Sequence, residues 1–339
     1  GPETYTVYIA GRGWGKLLSL DTMIPTTNGW KRNGDLEVGD LVFGPDGQPA
    51  RITGVFDRTP ERAWRLTFSD GTTLDAGGEH LWCTWTARDR KAWNRGLDCA
   101  GPLPDRWWAW RKLDQYGRAT GVGPSVLTTD EIVATLHQGS RGDRNHSIPT
   151  TAPIVLPARS LPIDPWVLGY WLGNGTAAGA SLTCHHDDAA PVLHALLAAG
   201  LDAVPGKAAA DKAPTVRIRG LLVTLRALGV LGNKHVPDQY LWASEAQRLA
   251  LLRGLMDSDG YAESSKVEFC STTHALALAV LHLGRSLGER PSLYEGRATL
   301  NGRDMGPKWR VCWRPARHNP FALARKSARV SMDHGAQAS

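Results

Sequence analysis

The chain has 339 residues, enough for two domains that each bury a core at roughly 100 to 200 residues per domain. Its net charge of +6 favours a polyanionic partner, because Lys and Arg contacts to phosphate release counterions. Five cysteines with no Cys-x-x-Cys spacing exclude a disulfide framework and a zinc ribbon, and no run nears the roughly 18 apolar residues of a membrane span or a secretory signal, so a reducing, cytosolic setting is expected.

Residues 5–16 read as a buried strand, Tyr5-Thr6-Val7-Tyr8-Ile9-Ala10, running into a glycine-rich loop, Gly11-Arg12-Gly13-Trp14-Gly15-Lys16. A phosphate-binding loop offers backbone N–H groups and a Lys, and then needs Ser or Thr for magnesium. Leu17-Leu18 follow Lys16, so this loop is not expected to work as written. From residue 22 to 84, short alternating stretches such as 51–55 and 63–68 are punctuated by turns at Gly29-Trp30, Asp46-Gly47 and Asp70-Gly71. That pattern predicts an all-β unit without a helix of any length.

Residues 84–160 are dense in Trp and Arg, including Arg88, Arg90 and Lys91, Trp107, Trp108 and Trp110 with Arg111 and Lys112, then Arg141 and Arg144. Basic residues among aromatics suit a nucleic-acid backbone, and equally the Trp side chains suit the seam between two domains. Pro149, Pro153, Pro157 and Pro162 mark the linker into the next domain.

Beyond residue 161 the order is helix, strands, helix, repeated. Two stretches are degenerate copies of one helix-ending pattern: Val-Leu-Gly-Tyr-Trp-Leu-Gly-Asn-Gly at 167–175 and Leu-Arg-Gly-Leu-Met-Asp-Ser-Asp-Gly at 252–260. Gly169, Gly173 and Gly254 remove side chains that would hold two helices apart. Gly175 and Gly260 suit the left-handed residue that ends a helix. If the two helices pack side by side, Asn174 lands beside Asp259, and two such groups can hold a divalent metal over a phosphate. Residues 217–219, 266–270 and 308–314 read as strands, and 221–230 and 273–287 as helices. Ser244 with Gln247 forms a capping box for a helix through Met256. Cys184-His185-His186-Asp187-Asp188 is too cramped for a metal site, and Asp187 or Asp188 is read as the cap of the helix through Leu197.

The two helix-ending segments resemble the LAGLIDADG motifs of single-chain homing endonucleases, with Asn174 where that family usually carries Asp. The preceding half resembles an intein. Residues 19–26, Gly29-Trp30 and 34–40 are similar to the first splicing block, and residues 70–74 leading to Glu79-His80-Leu81-Trp82 to the second, whose His polarises the amide to be cleaved. Gly77 stands where the family usually has Thr. Leu17 becomes the first intein residue and Lys16 the last of the host flank. Most inteins begin with a nucleophile; a minority, class 3, lack one and carry a Trp two residues after the block His, as Trp82 does, although Trp82 equally suits a core. The flank itself resembles the Walker A segment of phage terminase large subunits.

The resemblance implies a multidomain chain, with host flank 1–16, an all-β Hint-type splicing half 17–86, a basic Trp-rich linker or DNA-recognition insert 87–160, an α+β endonuclease domain 161–330 and a tail 331–339. The endonuclease domain would have pseudo-twofold αββαββα repeats and a saddle sheet lying in a DNA groove. It implies Mg²⁺ held by Asp259 and Asn174 with the adjoining Gly173 and Ser258, and Lys234 and Lys326 as cations at the scissile phosphate. Arg88, Arg90, Lys91, Arg111, Lys112, Arg141, Arg144, Arg217 and Arg219 are the candidate DNA contacts. The implied partner is double-stranded DNA carrying an uninterrupted terminase gene, cut by a monomer in the cytoplasm of a bacterium that harbours the phage or prophage, with no membrane involved. Asn174, a neutral amide, is expected to weaken cleavage. No final His-Asn splicing block precedes Ser339, so splicing is expected to need a further segment, in trans or downstream. Two other readings remain open: a DNA-binding remnant without cleavage, and a fragment of a terminase ATPase.

Overall fold

The computed structural model describes residues 5–10, 15–94, 125–138, 142–206 and 212–332. The chain divides into two compact units, Gly1–Ile154 and Val155–His334. In the first, an eight-stranded antiparallel sheet runs in the order Gly29–Arg32, Met23–Thr26, Leu41–Phe43, Pro49–Arg58, Tyr5–Ala10, Gly15–Ser19, Thr73–Gly77, Ala63–Thr67. Alternation places Leu18, Ile24, Val42, Ile52 and Ala76 on its buried face, where they meet Leu36, Trp82 and Ile132. Between residues 22 and 84 the described chain contains one 3₁₀ turn, Asn33–Asp35, and no α-helix, as the strand pattern predicts.

Two expectations change here. Tyr5–Ala10 and Gly15–Ser19 form an antiparallel hairpin with Tyr8 opposite Lys16, so Lys16 lies inside a strand instead of opening a helix. The cause is Leu17-Leu18, which are buried in the sheet; the loop residues Gly11 to Trp14 lie outside the described residues. The stretch read as a linker also contributes structure. Strands Ser125–Thr128 and His146–Ser147 both pair with Leu81–Thr86, and a capping box of Thr128 and Glu131 opens the helix Thr129–Ala134. Trp107, Trp108 and Trp110 lie outside the described residues.

The second unit is α+β. The first motif helix, Pro165–Asn174, is opened by Asp164, whose carboxylate accepts from Trp166 N at 2.9 Å and Val167 N at 3.1 Å. The second motif helix, Glu245–Asp259, has the predicted Ser244/Gln247 capping box. Each helix runs into its own antiparallel sheet. The first is ordered Ser181–Thr183, Thr215–Ile218, Ala203–Pro205; the second Gly260–Glu263, Lys266–Ser271, Arg303–Trp313, Ser292–Leu300. Helices Ala189–Ala198, Leu221–Ala227 and His274–Ser286 join Leu168, Trp171, Leu251, Leu255, Phe269 and Val311 in one continuous core. The strand Ser292–Leu300 has no clear alternation in its sequence, and its partner is longer than predicted because the two form an extended hairpin.

The glycines ending the motif helices are not left-handed: Gly175 has φ −75° and ψ 149°, and Gly260 has φ −80° and ψ 151°. Both are extended because the chain passes at once into sheet pairing. A side chain is excluded sterically, since a Cβ at 175 would lie 2.6 Å from Trp171 Cγ and one at 260 would lie 2.8 Å from Met256 Cα. Asp188 is likewise no cap. His185 Nδ1 accepts from Asp187 N at 3.2 Å, while Asp188, 3% exposed, pairs with Arg325.

Candidate functional site

In the first unit the geometry converges on the amide of Leu17. Leu17 N–H donates to His80 Nδ1 at 2.8 Å, and both residues are buried. The sequence suggests an imidazole that donates; here Nδ1 accepts, which places the neutral ring's proton on Nε2. His80 is held from behind. Its N–H donates to Gly77 O at 3.0 Å, its carbonyl accepts from Thr129 N at 2.9 Å, and the Trp82 ring meets it edge-on at 4.6 Å. Trp82 is both core and neighbour of His80, and its indole N–H donates to Thr129 Oγ1 at 2.9 Å.

Thr129 does not stand out in the sequence because it lies past the Trp-rich stretch, yet its hydroxyl also donates to Gly77 O at 2.8 Å. The visible signal was the Thr128/Glu131 capping box, which fixes the helix that carries it. Thr129→Val keeps the volume and leaves the Trp82 indole without an acceptor. The expected loss is about 1–3 kcal/mol in urea unfolding of this unit, and a change below about 0.5 kcal/mol would remove Thr129 from this role.

In the second unit the two motif helices touch backbone to backbone. A Cβ at Gly169 would lie 2.9 Å from Leu255 N and 3.1 Å from Gly254 Cα, and one at Gly254 would lie 2.7 Å from Tyr170 N. This crossing brings the two C-terminal ends together. Asp259 Oδ2 lies 3.1 Å from where a Cβ at Gly173 would stand. Asp259 reaches solvent on its open side and is crowded by protein elsewhere, so burial raises its pKa, against the pull of Lys234 and Lys326. Its carboxylate accepts no hydrogen bond from the described residues. Asn174 faces the Tyr170 hydroxyl, which also meets the Cys184 thiol.

The two lysines are bound in parallel fashion. Lys234 Nζ donates to Gly173 O at 3.0 Å and Gly175 O at 2.7 Å, with its charge 5.2 Å from the Trp171 ring. Lys326 Nζ donates to Met256 O at 3.1 Å, Ser258 O at 3.1 Å and Gly260 O at 2.8 Å. Each ammonium satisfies carbonyls orphaned at a helix C-terminus, where positive charge is favoured. An ammonium has three N–H groups, so Lys326 is saturated while Lys234 keeps one free among the described residues. Burial pushes the Lys326 pKa down to about 8, and it lowers that of Lys234 as well.

Sequence reasoning missed the residues that place Lys326. Asp257, 2% exposed, accepts from Trp166 Nε1 at 2.8 Å and from Ala322 N and Leu323 N at 3.1 Å, which fixes the turn leading to Lys326. Arg325 forks onto Asp188, with Nη2 at 2.6 Å and Nε at 3.1 Å. The motif itself was the available signal for Asp257; nothing local marks Asp188 and Arg325 as partners 137 residues apart.

Gly173 and Ser258 do not lie free for a metal, because their carbonyls are engaged by the two lysines and the Ser258 hydroxyl donates to Leu255 O at 2.8 Å. Among the described residues no three His, Cys, Asp or Glu side chains form a metal cluster. Magnesium is commonly held by one or two carboxylates and completed by substrate phosphates and water, and Asp259 is a carboxylate available for that mode.

The candidate DNA contacts scatter. Arg88 and Lys91 are exposed on the helix Ala87–Asn94, and Arg144 is exposed. Arg90 instead donates to Trp85 O at 2.9 Å and Asn145 O at 3.0 Å, a structural use of its charge. Arg217 is exposed on the middle strand of the first sheet, and Arg219 pairs with Asp202 at 3.3 Å. Arg111, Lys112 and Arg141 lie outside the described residues. On the second sheet Lys266, Arg290, Tyr294, Arg310 and Arg314 line a cleft of about 540 Å³ that was not anticipated. The alternation around Val311 and Trp313 pointed to Arg310 as outward-facing.

Residues 246–311 match the LAGLIDADG-like domain family. The chain is 36% identical over 288 residues to a replicative DNA helicase DnaB of Mycobacterium intracellulare, covering 84% of this chain and 45% of that protein. It is 37% identical over 108 residues to a DnaB of Mycobacterium leprae, covering 30% of this chain and 18% of that protein. The chain thus spans less than half the length of these curated relatives. These relatives do not support the terminase host expected from the flank: a Gly-rich loop ending in Lys does not distinguish one nucleotide-binding enzyme from another. Among solved structures, the complex of I-DmoI with DNA and calcium is similar at 12% identity and a TM-score of 0.35, over 49% of this chain and 94% of that one. The zinc-bound Msm DnaB1 intein splicing domain is similar at 28% identity and a TM-score of 0.19, over 33% and 74%. The chain therefore carries, within its α+β unit, a LAGLIDADG-like domain.

Proposed function

We propose that the α+β unit binds double-stranded DNA and carries a one-carboxylate cleavage centre, and that the all-β unit is the N-terminal part of an intein interrupting a DnaB-type helicase. The observation that carries the first half is that Asn174 and Asp259 are the last residues of two helices joined through Gly169 and Gly254, with the half-buried Lys234 and Lys326 acting on Asp259. In this reading Asp259, with Asn174, would hold a divalent ion, which would supply Lewis acidity and a more acidic water. The residues do the rest: Lys234 has an N–H to offer a phosphate oxygen, and Lys326 keeps positive charge beside Asp259.

Magnitude decides how much the amide costs. Two unit charges about 4 Å apart at an effective dielectric of about 20 interact by about 4 kcal/mol, so replacing one carboxylate of a pair removes a large part of the attraction for a divalent ion. The centre as built carries one negative and two positive side chains, which weakens its attraction for a divalent ion while leaving it attractive to an anionic phosphate. Binding without efficient double-strand cutting follows. A gel shift in Mg²⁺ with a duplex spanning an uninterrupted DnaB insertion site tests this. Specific retardation supports it, and affinity equal to that for random duplex at about 150 mM salt removes it.

The Lys326 pKa of about 8 sets a pH dependence. Below that value the ammonium is charged; above it the amine is neutral and has two N–H groups for three carbonyls. Any strand cleavage is therefore expected to fall as pH rises through about 8, and Lys326→Arg, which stays charged, is expected to remove that limb. A limb unchanged in Lys326→Arg assigns it to another group.

The splicing half rests on the Leu17 N–H to His80 Nδ1 contact. In class 3 chemistry a distant nucleophile attacks the Lys16 carbonyl and the Leu17 nitrogen leaves with a proton; His80, whose Nδ1 faces that nitrogen, would deliver it once its imidazole is protonated. Scission at Lys16–Leu17 that persists in His80→Ala would contradict this.

A further inference from the structure

We propose that Gly77 is a specificity-determining residue of the Lys16–Leu17 junction: the bulk of Leu17 and the missing side chain at 77 are a matched pair that holds the Leu17 amide on His80. The inference rests on the splicing reading for its meaning and on packing for its content. Leu17 is only 4% exposed, and its side chain occupies the space over Gly77. A Cβ at 77 would lie 2.8 Å from Leu17 Cγ and 3.0 Å from Pro60 Cβ, whereas carbon contacts settle at about 3.5–4.0 Å.

Neither side can yield cheaply. Leu17 Cδ2 is closer still; rotation about χ2 carries that methyl away but leaves Cγ in place, and moving Cγ requires a new χ1 rotamer within the buried sheet face. That backbone is fixed by its strand pairing with Val7, by Leu18 opposite Ala76, and by the bond to His80. Gly77 is fixed too, because its carbonyl accepts from His80 N at 3.0 Å and Thr129 Oγ1 at 2.8 Å. A displacement of residue 77 therefore drags His80, and a displacement of Leu17 drags the amide; both lengthen the same 2.8 Å contact. Conversely, a small residue at 17 leaves a void over Gly77 that a side chain at 77 can fill. The size of residue 17 that the junction accepts is thus set from position 77.

A double-mutant cycle tests the pair, read in the full chain by NMR as hydrogen-exchange protection of the residue-17 amide and the ¹⁵N shift of His80 Nδ1. Gly77→Ala is expected to lower that protection at least tenfold and move the Nδ1 signal towards that of a free imidazole. Leu17→Ala combined with Gly77→Ala is expected to restore both. Should Gly77→Ala not fold, folding of the double variant supports the pairing, and failure of the double variant to fold overturns it. Protection in Gly77→Ala equal to the parent also overturns it. Scission at Lys16–Leu17 in the complete gene product is scored separately: absence of scission in every variant removes the splicing reading, while a protection pattern indifferent to residue 77 removes the pairing.

Discussion

Asn174→Asp is expected to raise double-strand cleavage by about 10²-fold, the scale on which one group stabilising developing charge is felt in a site of this kind. The substitution changes almost no volume and puts a second carboxylate at the end of the helix that crosses the one ending in Asp259. It also returns the centre to two negative and two positive side chains, which raises its attraction for a divalent ion. The Tyr170 hydroxyl already faces residue 174 and can donate to the new carboxylate, so the side chain is not left unpartnered. Cleavage on an uninterrupted DnaB site, measured as linear product per hour, checks this. An unchanged rate would place the defect elsewhere, with Lys326 the next suspect because all three of its N–H groups are engaged.

Gly169→Leu is expected to unfold the α+β unit while leaving the all-β unit intact. The space for that side chain is filled by the backbone of the partner helix, with Gly254 Cα 3.1 Å from the nearest added carbon. Backbone cannot turn away as a side chain does, so the motif helices must separate, opening the core around Leu168, Trp171, Leu251 and Leu255. The expected cost is about 3 kcal/mol or more. Thermal unfolding followed at two wavelengths should lose the transition of the α+β unit and keep that of the other. Retention of both transitions would show that the helices do not cross at these glycines.

The architecture was largely legible in the sequence because its signals were local. The capping box at Ser244 and Gln247, the alternation of residues 51–55 and 63–68, and the paired glycines each depend on residues a few positions apart, and each element formed where expected. The place of Asn174 and Asp259 at the ends of their helices was legible for the same reason. What escaped was set by partners distant in the chain. Asp188 looked like a helix cap and pairs with Arg325; Thr129 looked like linker and holds the turn beneath His80. Arg90 looked like a DNA contact and closes two carbonyls. Gly175 and Gly260 do end their helices, but for a different cause: crowding by the preceding turn excludes a side chain there, while the lysines do the capping. The host flank misled because a short glycine-rich segment ending in Lys is shared by many nucleotide-binding enzymes; in this chain Gly15 and Lys16 lie in a strand paired with Tyr5–Ala10.

In the proposed centre one carboxylate, Asp259, serves without a second beside it. The most direct test is to incubate the unaltered chain, in Mg²⁺, with a supercoiled plasmid bearing a single uninterrupted DnaB insertion site, and to resolve nicked from linear product. The expected result is bound plasmid with at most slow accumulation of nicked circle. Rapid conversion to linear DNA, at the rate given by Asn174→Asp, would contradict it.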